Sequence, residues 1–193
     1  MKKVLIEDAN VELLEFFEEV SKESRKEKNA VPAINKMIYW WTRKPIVVGK
    51  AITLTSTLDK LSDVKSLMGF NNNERIYEKI PDVERYKKIM NEENDLKILD
   101  CFGGSGNLIF STTQFGLDTT VGDYNPLSYL ITKGTLDFQA QFGEKLVIDF
   151  EKLAKEVIQN TKDEVGKFFK ENQLAYLWVW CIKCPHCHQR VPL

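Results

Sequence analysis

Two acidic residues and a glycine-rich turn between them form the segment of this chain that is most suited to bind a ligand. A short apolar run ends at Asp100, and Gly103, Gly104 and Gly106 follow it. Asp123 comes seventeen residues after the last of these glycines, at the end of a second short apolar run. Glycines let the backbone approach a ligand closely, and an acid after the next strand can accept hydrogen bonds from ribose hydroxyls. The spacing predicts a nucleoside pocket at the carboxyl ends of parallel strands.

The order of residues in the turn favours one class of nucleoside. It reads Asp-x-Phe-x-Gly-x-Gly, with Phe102 as the aromatic, where dinucleotide sites use Gly-x-Gly-x-x-Gly. This order favours S-adenosylmethionine, whose positively charged end suits a carboxylate such as Asp100. Asp123 would then bind the ribose, and Tyr124 would flank the adenine. The alternative is a tight structural turn of any α/β protein, but Asn125-Pro126 after the second acid favours the cofactor.

Periodicity and turn residues predict the elements that must position these groups. An apolar stripe over residues 11–28, with Asn10 or Asp8 as its cap, indicates an amphipathic helix. Pro45 is placed to begin a helix at 46–62, and Gly116 to end one at 107–115. Further helices are predicted at 83–92, from Pro126 onward and at 145–170. Strands are predicted at 97–102, 118–123 and 176–180. The strand–helix–strand order predicts a right-handed crossover and a parallel pair. We therefore expect an α/β protein.

Length and composition indicate the number of domains and the location in the cell. With 193 residues the chain should hold one domain with an appendage. We divide it into a helical region at 1–62, a charged insertion at 63–95 that we expect to be mobile, an α/β core at 96–175 and a carboxyl-terminal segment at 176–193. No apolar run approaches the roughly 20 residues that span a bilayer. The amino terminus meets acids too early for a signal peptide, so we expect no membrane association and a cytoplasmic location.

Several motifs in register resemble those of one enzyme family. Residues 98–106 resemble the D-P-F-x-G-x-G cofactor motif of amino-methylating DNA methyltransferases, with Cys101 in the place of the proline. Residues 123–126 resemble the D-x-N-P of adenine-specific DNA methylases that carry an inserted zinc ribbon. That family also has an upstream W-W-x-R-[RK]-P, an L-W, a C-P-x-C and a terminal P-L, to which residues 40–45, 177–178, 184–187 and 192–193 are similar. The resemblance implies a partial, Rossmann-like S-adenosylmethionine-dependent methyltransferase sheet.

The resemblance also implies a role for the upstream aromatic segment. Its residues are Trp40, Trp41, Arg43, Lys44 and Pro45. In such enzymes this stretch wraps the methionine end of the cofactor, so Arg43 or Lys44 would bind its carboxylate. An indole would cover the adenine or the sulfonium by cation–π attraction. The alternative is that the tryptophans are core anchors and the two basic residues are surface charges.

Three of the four cysteines, Cys181, Cys184 and Cys187, lie within seven residues. The segment Cys184-Pro185-His186-Cys187 suits a knuckle for tetrahedral zinc, and we interpret it as half of a zinc ribbon. Cys181 and His188 are candidates to complete a site from one segment. Covalent haem attachment would need export, an iron–sulfur cluster lacks a fourth cysteine, and reduced cysteines without metal remain the plain alternative.

One motif is missing. Enzymes that methylate an exocyclic amino group use a [DN]-P-P-[YF] loop to hold the flipped base, and none of the 193 residues forms it. The net charge of −1 also gives no strong footprint for DNA. We expect the cofactor-binding part of an adenine-N6 DNA methyltransferase of the restriction-modification kind, inactive by itself and completed by sequence beyond residue 193 or by a second polypeptide. The alternatives are a non-catalytic DNA- or protein-binding adaptor and a methyltransferase fragment for RNA or protein.

Overall fold

The computed structural model describes residues 3–8, 10–70, 75–90, 96–169 and 175–193. Contacts divide the chain into two compact units, Met1–Gly143 and Glu144–Leu193. The predicted nucleoside motifs all lie in the first unit, and the cysteine motif lies in the second.

Helices build the amino-terminal half of the first unit. They are α1 (Val11–Ala30), α2 (Ile46–Thr55), α3 (Leu61–Met68) and α4 (Val83–Met90), with short 3-10 turns at Leu5–Glu7 and Ala33–Lys36. The predicted cap begins α1, because the Asn10 side chain accepts a hydrogen bond of 2.9 Å from the Leu13 N–H. The predicted helix after Pro45 is shorter than expected and ends at Thr55.

A buried carboxylate starts α2. Glu27, at the end of α1, is 2% exposed and accepts hydrogen bonds from the N–H groups of Ile46 (2.8 Å) and Val47 (3.0 Å). Pro45 occupies the cap position and supplies no side-chain hydrogen bond, so Glu27 satisfies the first donors of the helix from a distance in sequence. The contact fixes the chain that leads from the Trp40 segment into α2.

The first unit ends in the predicted α/β arrangement. Strand β1 (Lys97–Asp100), helix α5 (Asn107–Thr113) and strand β2 (Asp118–Val121) follow one another, and the strands pair in parallel with Asp100 opposite Val121. Next come α6 (Pro126–Thr132), a π-helical segment (Lys133–Asp137) and α7 (Phe138–Phe142). The chain is thus an α/β protein with a two-stranded parallel sheet in this part of the structure.

The core of the first unit lies among the helices. Its buried residues include Leu13, Phe16, Val20, Val47, Leu54, Val64, Leu67, Met68, Ile76, Tyr77, Tyr86 and Phe115. Six of these belong to the charged segment 63–95, which therefore contributes to the core and differs from the mobile insertion that its composition suggested. Residues 71–74 and 91–95 of that segment lie outside the described residues.

The second unit contains one long helix and a hairpin. Helix α8 (Glu144–Val165) leads into a 3-10 turn (Gly166–Phe168), and β3 (Cys181–Lys183) pairs with β4 (Arg190–Pro192) in antiparallel fashion. The predicted strand at 176–180 is wrong, because those residues alternate between aromatic and aliphatic side chains but pair with no strand among the described residues, where pairing begins at Cys181. Over the ranges that the structure describes, no helix combines the length and apolar content needed to cross a membrane.

Candidate functional site

The glycine turn after β1 is tied to the acid that follows β2. The Gly104 N–H donates a 2.7 Å hydrogen bond to one Asp123 carboxylate oxygen, and the Asn125 N–H donates a 2.8 Å bond to the other. The turn requires glycine, since φ is +53° at Gly104 and +78° at Gly106. The two predicted ends of the pocket therefore lie side by side.

The carboxylate of Asp123 is held in its ionised form. The N–H groups of Asn125 and then Gly104 lower the pKa of this carboxyl below its ordinary value. The Ser128 hydroxyl and the Tyr124 N–H also lower this pKa, so four groups of the chain act on the carboxylate. An ionised carboxylate is an acceptor only, which is the chemistry that a ribose diol needs.

Asp100, at the end of β1, has a buried oxygen without a partner. Its Oδ1 accepts a 3.0 Å bond from the Phe102 N–H, whereas Oδ2 is buried and has no hydrogen-bond partner. Buried carboxylate oxygens are almost always satisfied, so an unpaired one calls for an explanation. Two predicted aromatics flank this edge in exposed positions, with Phe102 at 87% exposure and Tyr124 fully exposed.

Part of the upstream segment reaches the same turn. The Trp40 Nε1 lies 3.4 Å from the point where a Cβ on Gly104 would stand, so the indole covers the glycine backbone. Trp41 is 85% exposed and packs edge-on against Tyr39 at 4.8 Å between ring centroids. The two tryptophans were predicted to share one role, but only Trp40 lies against the glycine turn.

The two predicted basic ligands have different surroundings. Arg43 donates to the backbone carbonyls of Asn35 (2.8 Å) and Ile38, so both terminal nitrogens are used inside its own loop. The Lys44 side chain is exposed. Of the two, Lys44 has the side chain that is accessible to a carboxylate.

Sequence reasoning missed two polar residues at this site. Asn107, which follows Gly106, is 2% exposed and donates to the Lys44 carbonyl at 2.9 Å and to Asn35 Oδ1 at 3.0 Å. Ser128 donates from its hydroxyl to the Gly104 carbonyl. The signal for Asn107 was a polar residue directly after the last glycine, at a position that the helix pattern buries.

A cavity of about 500 Å³ opens beside β2. Its walls come from β2, α5, α6 and the π-helical segment, and include Thr119, Val121, Asp123, Tyr129, Thr132 and Leu136. The Thr132 hydroxyl is buried without a partner. Because Asp123 contributes to its lining, the cavity borders the residue whose carboxylate accepts the Gly104 N–H.

Backbone N–H groups interact with the Cys184 thiol of the hairpin in the second unit. The backbone N–H groups of Cys187 and His186 lower the pKa of Cys184 below its ordinary value. The turn is closed by hydrogen bonds of 2.9 Å from Cys184 N–H to the Gln189 carbonyl and from His188 N–H to the Cys184 carbonyl. No group of three or more metal-ligating side chains comes together in the described ranges, so Cys181, Cys184 and Cys187 do not form a shared ligand set there.

One comparison with known proteins finds a match. Residues 17–93 match the model of a protein family of unknown function, DUF1156. This range runs from α1 through the Trp40 segment to the end of α4 and stops before β1. No curated protein and no solved structure matches the chain.

Proposed function

We propose that this chain binds S-adenosylmethionine as the cofactor-binding part of an adenine-specific N6 DNA methyltransferase. The observation that carries the proposal is the bond between Gly104 N–H and the Asp123 carboxylate, beside an Asp100 oxygen that has no partner. Parallel α/β sheets bind nucleosides at the carboxyl ends of their strands, where both acids lie. A Rossmann-like methyltransferase sheet is the finer fold that belongs to this proposal.

The residues present suit this cofactor. The ionised carboxylate of Asp123 is suited to accept hydrogen bonds from ribose hydroxyls, and the negative charge of Asp100 suits the sulfonium and the amino group. The indole of Trp40 offers a π-face to a cation. The bound cofactor would supply the methyl group, while this chain's residues bind and orient it.

We propose that residues other than these 193 carry out the methyl transfer. The motifs that resemble those of adenine-specific DNA methylases support DNA as the substrate of the complete enzyme. The base-holding [DN]-P-P-[YF] motif is missing from the 193 residues, so we propose that a further segment or a second polypeptide supplies it. The chain by itself is then expected to bind cofactor and to transfer nothing.

Zinc is proposed for the hairpin as a partial site. Zinc binds thiolates, and the lowered pKa of Cys184 favours that form. Cys184 and Cys187 would supply half of a tetrahedral set, and Cys181 would join them only if the hairpin rearranged on binding zinc. We propose that a further segment or a second polypeptide supplies the remaining ligands.

Calorimetric titration with S-adenosylmethionine tests the main proposal. Asp123→Ala removes the ribose acceptor and should weaken binding about tenfold or more. Asp118→Ala is the matched control, because Asp118 is an exposed acid at the start of β2, the strand that Asp123 follows, and its contact is an ion pair with Lys97 at 3.8 Å. Absence of heat from folded protein, or equal losses in both variants, would contradict the proposal. Salt-sensitive DNA binding without a cofactor effect would favour an adaptor instead.

A further inference from the structure

One buried amide holds both ends of the loop that carries Trp40. The loop spans residues 35–44, and the Asn107 Nδ2 donates one proton to Asn35 Oδ1 at 3.0 Å and the other to the Lys44 carbonyl at 2.9 Å. Because the amide uses both of its protons on the two ends, it closes the loop at its base.

A second residue fixes the interior of the same loop. Arg43 donates to the carbonyls of Asn35 and Ile38, so these hydrogen bonds join the two sides of the loop. Trp40 lies beyond these bonds, with its Nε1 3.4 Å from the Cβ position of Gly104. The position of the indole therefore depends on how the loop base is held.

Asn107 is itself fixed to the glycine turn. It is the first residue of α5, directly after Gly106, and its Oδ1 accepts a 3.3 Å bond from the Ser105 hydroxyl. The Ser111 hydroxyl shares its single proton between the backbone carbonyls of Asn107 at 2.8 Å and Ile46 at 3.0 Å. The Asn107 side chain thus connects the loop to the glycine turn, and Ser111 connects α5 to the start of α2.

We infer that Asn107 is a positioning residue that sets Trp40 against the glycine turn and thereby controls the affinity of the site for S-adenosylmethionine. The inference rests on the proposed function. Asparagine suits the task because its short side chain carries two N–H donors, whereas aspartate has none and would place a charge against two acceptors. Asn107 acts through Trp40 and does not itself contact the cofactor.

The first test measures the loop directly. Hydrogen exchange of the amides at residues 36–42 is compared in the full chain before and after Asn107→Asp. We expect the exchange rate of these amides to rise about tenfold or more, since opening of the loop no longer breaks the two hydrogen bonds of the Asn107 side chain. Thr112→Val is the matched control, because Thr112 is 5% exposed on the same helix and bonds Thr53 instead of the loop. Unchanged exchange in the Asn107 variant, or an equal rise in the control, would overturn the inference.

The second test asks whether Asn107 acts through Trp40. Affinity for S-adenosylmethionine is measured for Asn107→Asp, Trp40→Ala and the double variant. We expect Asn107→Asp to weaken binding about tenfold in the parent and by less than about twofold when Trp40 is absent, because the pair acts as a unit. Equal losses in both backgrounds would overturn the inference.

The two failures can be told apart. If the parent binds no cofactor, the proposed function fails, and hydrogen exchange alone decides whether Asn107 holds the loop. If Asn107→Asp does not fold, Asn35→Ala takes its place, since it removes one of the two acceptors and leaves α5 intact. Its exchange should rise at the Asn35 end of the loop, and an unchanged rate there would count against the inference.

Discussion

Gly104 and Asp123 are joined by a 2.7 Å hydrogen bond from a backbone N–H to a carboxylate oxygen. This bond ties the turn after β1 to the residue that follows β2. It also uses the Gly104 N–H, so that group is not available to a ligand, and the acid becomes the recognising group. The arrangement makes the geometry of the turn a condition for the placement of Asp123.

Gly103→Ala should distort this turn. A Cβ at Gly103 would lie 2.4 Å from the Val121 Cγ2, and such an overlap costs about 1–3 kcal/mol in a packed site. Gly122→Ala is the control, since a Cβ there meets nothing within 4 Å. Urea unfolding should show the loss only for Gly103. Equal stability of the two variants would argue that the turn is not packed against β2.

Trp40 should report cofactor binding, and Trp41 should not. Trp40 covers Gly104, whereas Trp41 is 85% exposed and contacts Tyr39. We expect Trp40→Phe to remove most of the fluorescence change that S-adenosylmethionine causes, and Trp41→Phe to leave it. The measurement is an emission titration of both variants and the parent. Persistence of the change without Trp40 would place the ligand elsewhere.

Local chemistry explains which elements were predictable. The Asn10 cap, Asn125-Pro126 and the glycines at 103–106 act on the residues beside them, so they can be read without tertiary information. The parallel pairing of β1 and β2 followed from the helix between them. Because Asp100 and Asp123 each stand at or just after the end of one of these parallel strands, their position at one edge of the sheet was predictable as well.

The rest depends on partners that are distant in sequence. Glu27 caps α2 from α1, and Asn107 bonds the loop at 35–44; neither contact has a local pattern. Segment 63–95 looks solvated by composition, yet residues such as Ile76 and Tyr86 are buried. The alternation at 176–180 is typical of a strand, but a strand also requires a partner, and pairing begins at Cys181.

Lys50 should make stability depend on pH. It is 1% exposed and donates to the carbonyls of Ile76 and Lys79, and burial lowers its pKa to about 8, against the opposing effect of Glu27. Above that pH the unfolded chain binds a proton that the native state does not, so the free energy of unfolding rises with pH.

Lys50→Met removes this titration. The free energy of unfolding of the parent, minus that of the variant, should increase by about 2 kcal/mol from pH 8 to 10. Urea unfolding across this range measures the difference, in which the other lysines cancel. Parallel pH profiles for the two proteins would show that Lys50 titrates normally.

Cys184 should be the most reactive cysteine of the hairpin at neutral pH. Its pKa is lowered by the N–H groups of Cys187 and His186, and the thiolate is the form that attacks alkylating agents. Mass spectrometry after brief iodoacetamide treatment should find Cys184 modified before Cys181, and zinc should slow the reaction. Equal rates, unaffected by zinc, would remove the support for a metal site.

Photo-crosslinking of methyl-labelled S-adenosylmethionine to the chain reports where the cofactor lies. We expect the label on peptides containing Trp40, residues 100–106 or residues 123–125, and we expect excess unlabelled cofactor to prevent the labelling. If unlabelled cofactor did not reduce the labelling, or if the label were confined to residues 144–193, the assignment of the cofactor to the ends of β1 and β2 would be contradicted.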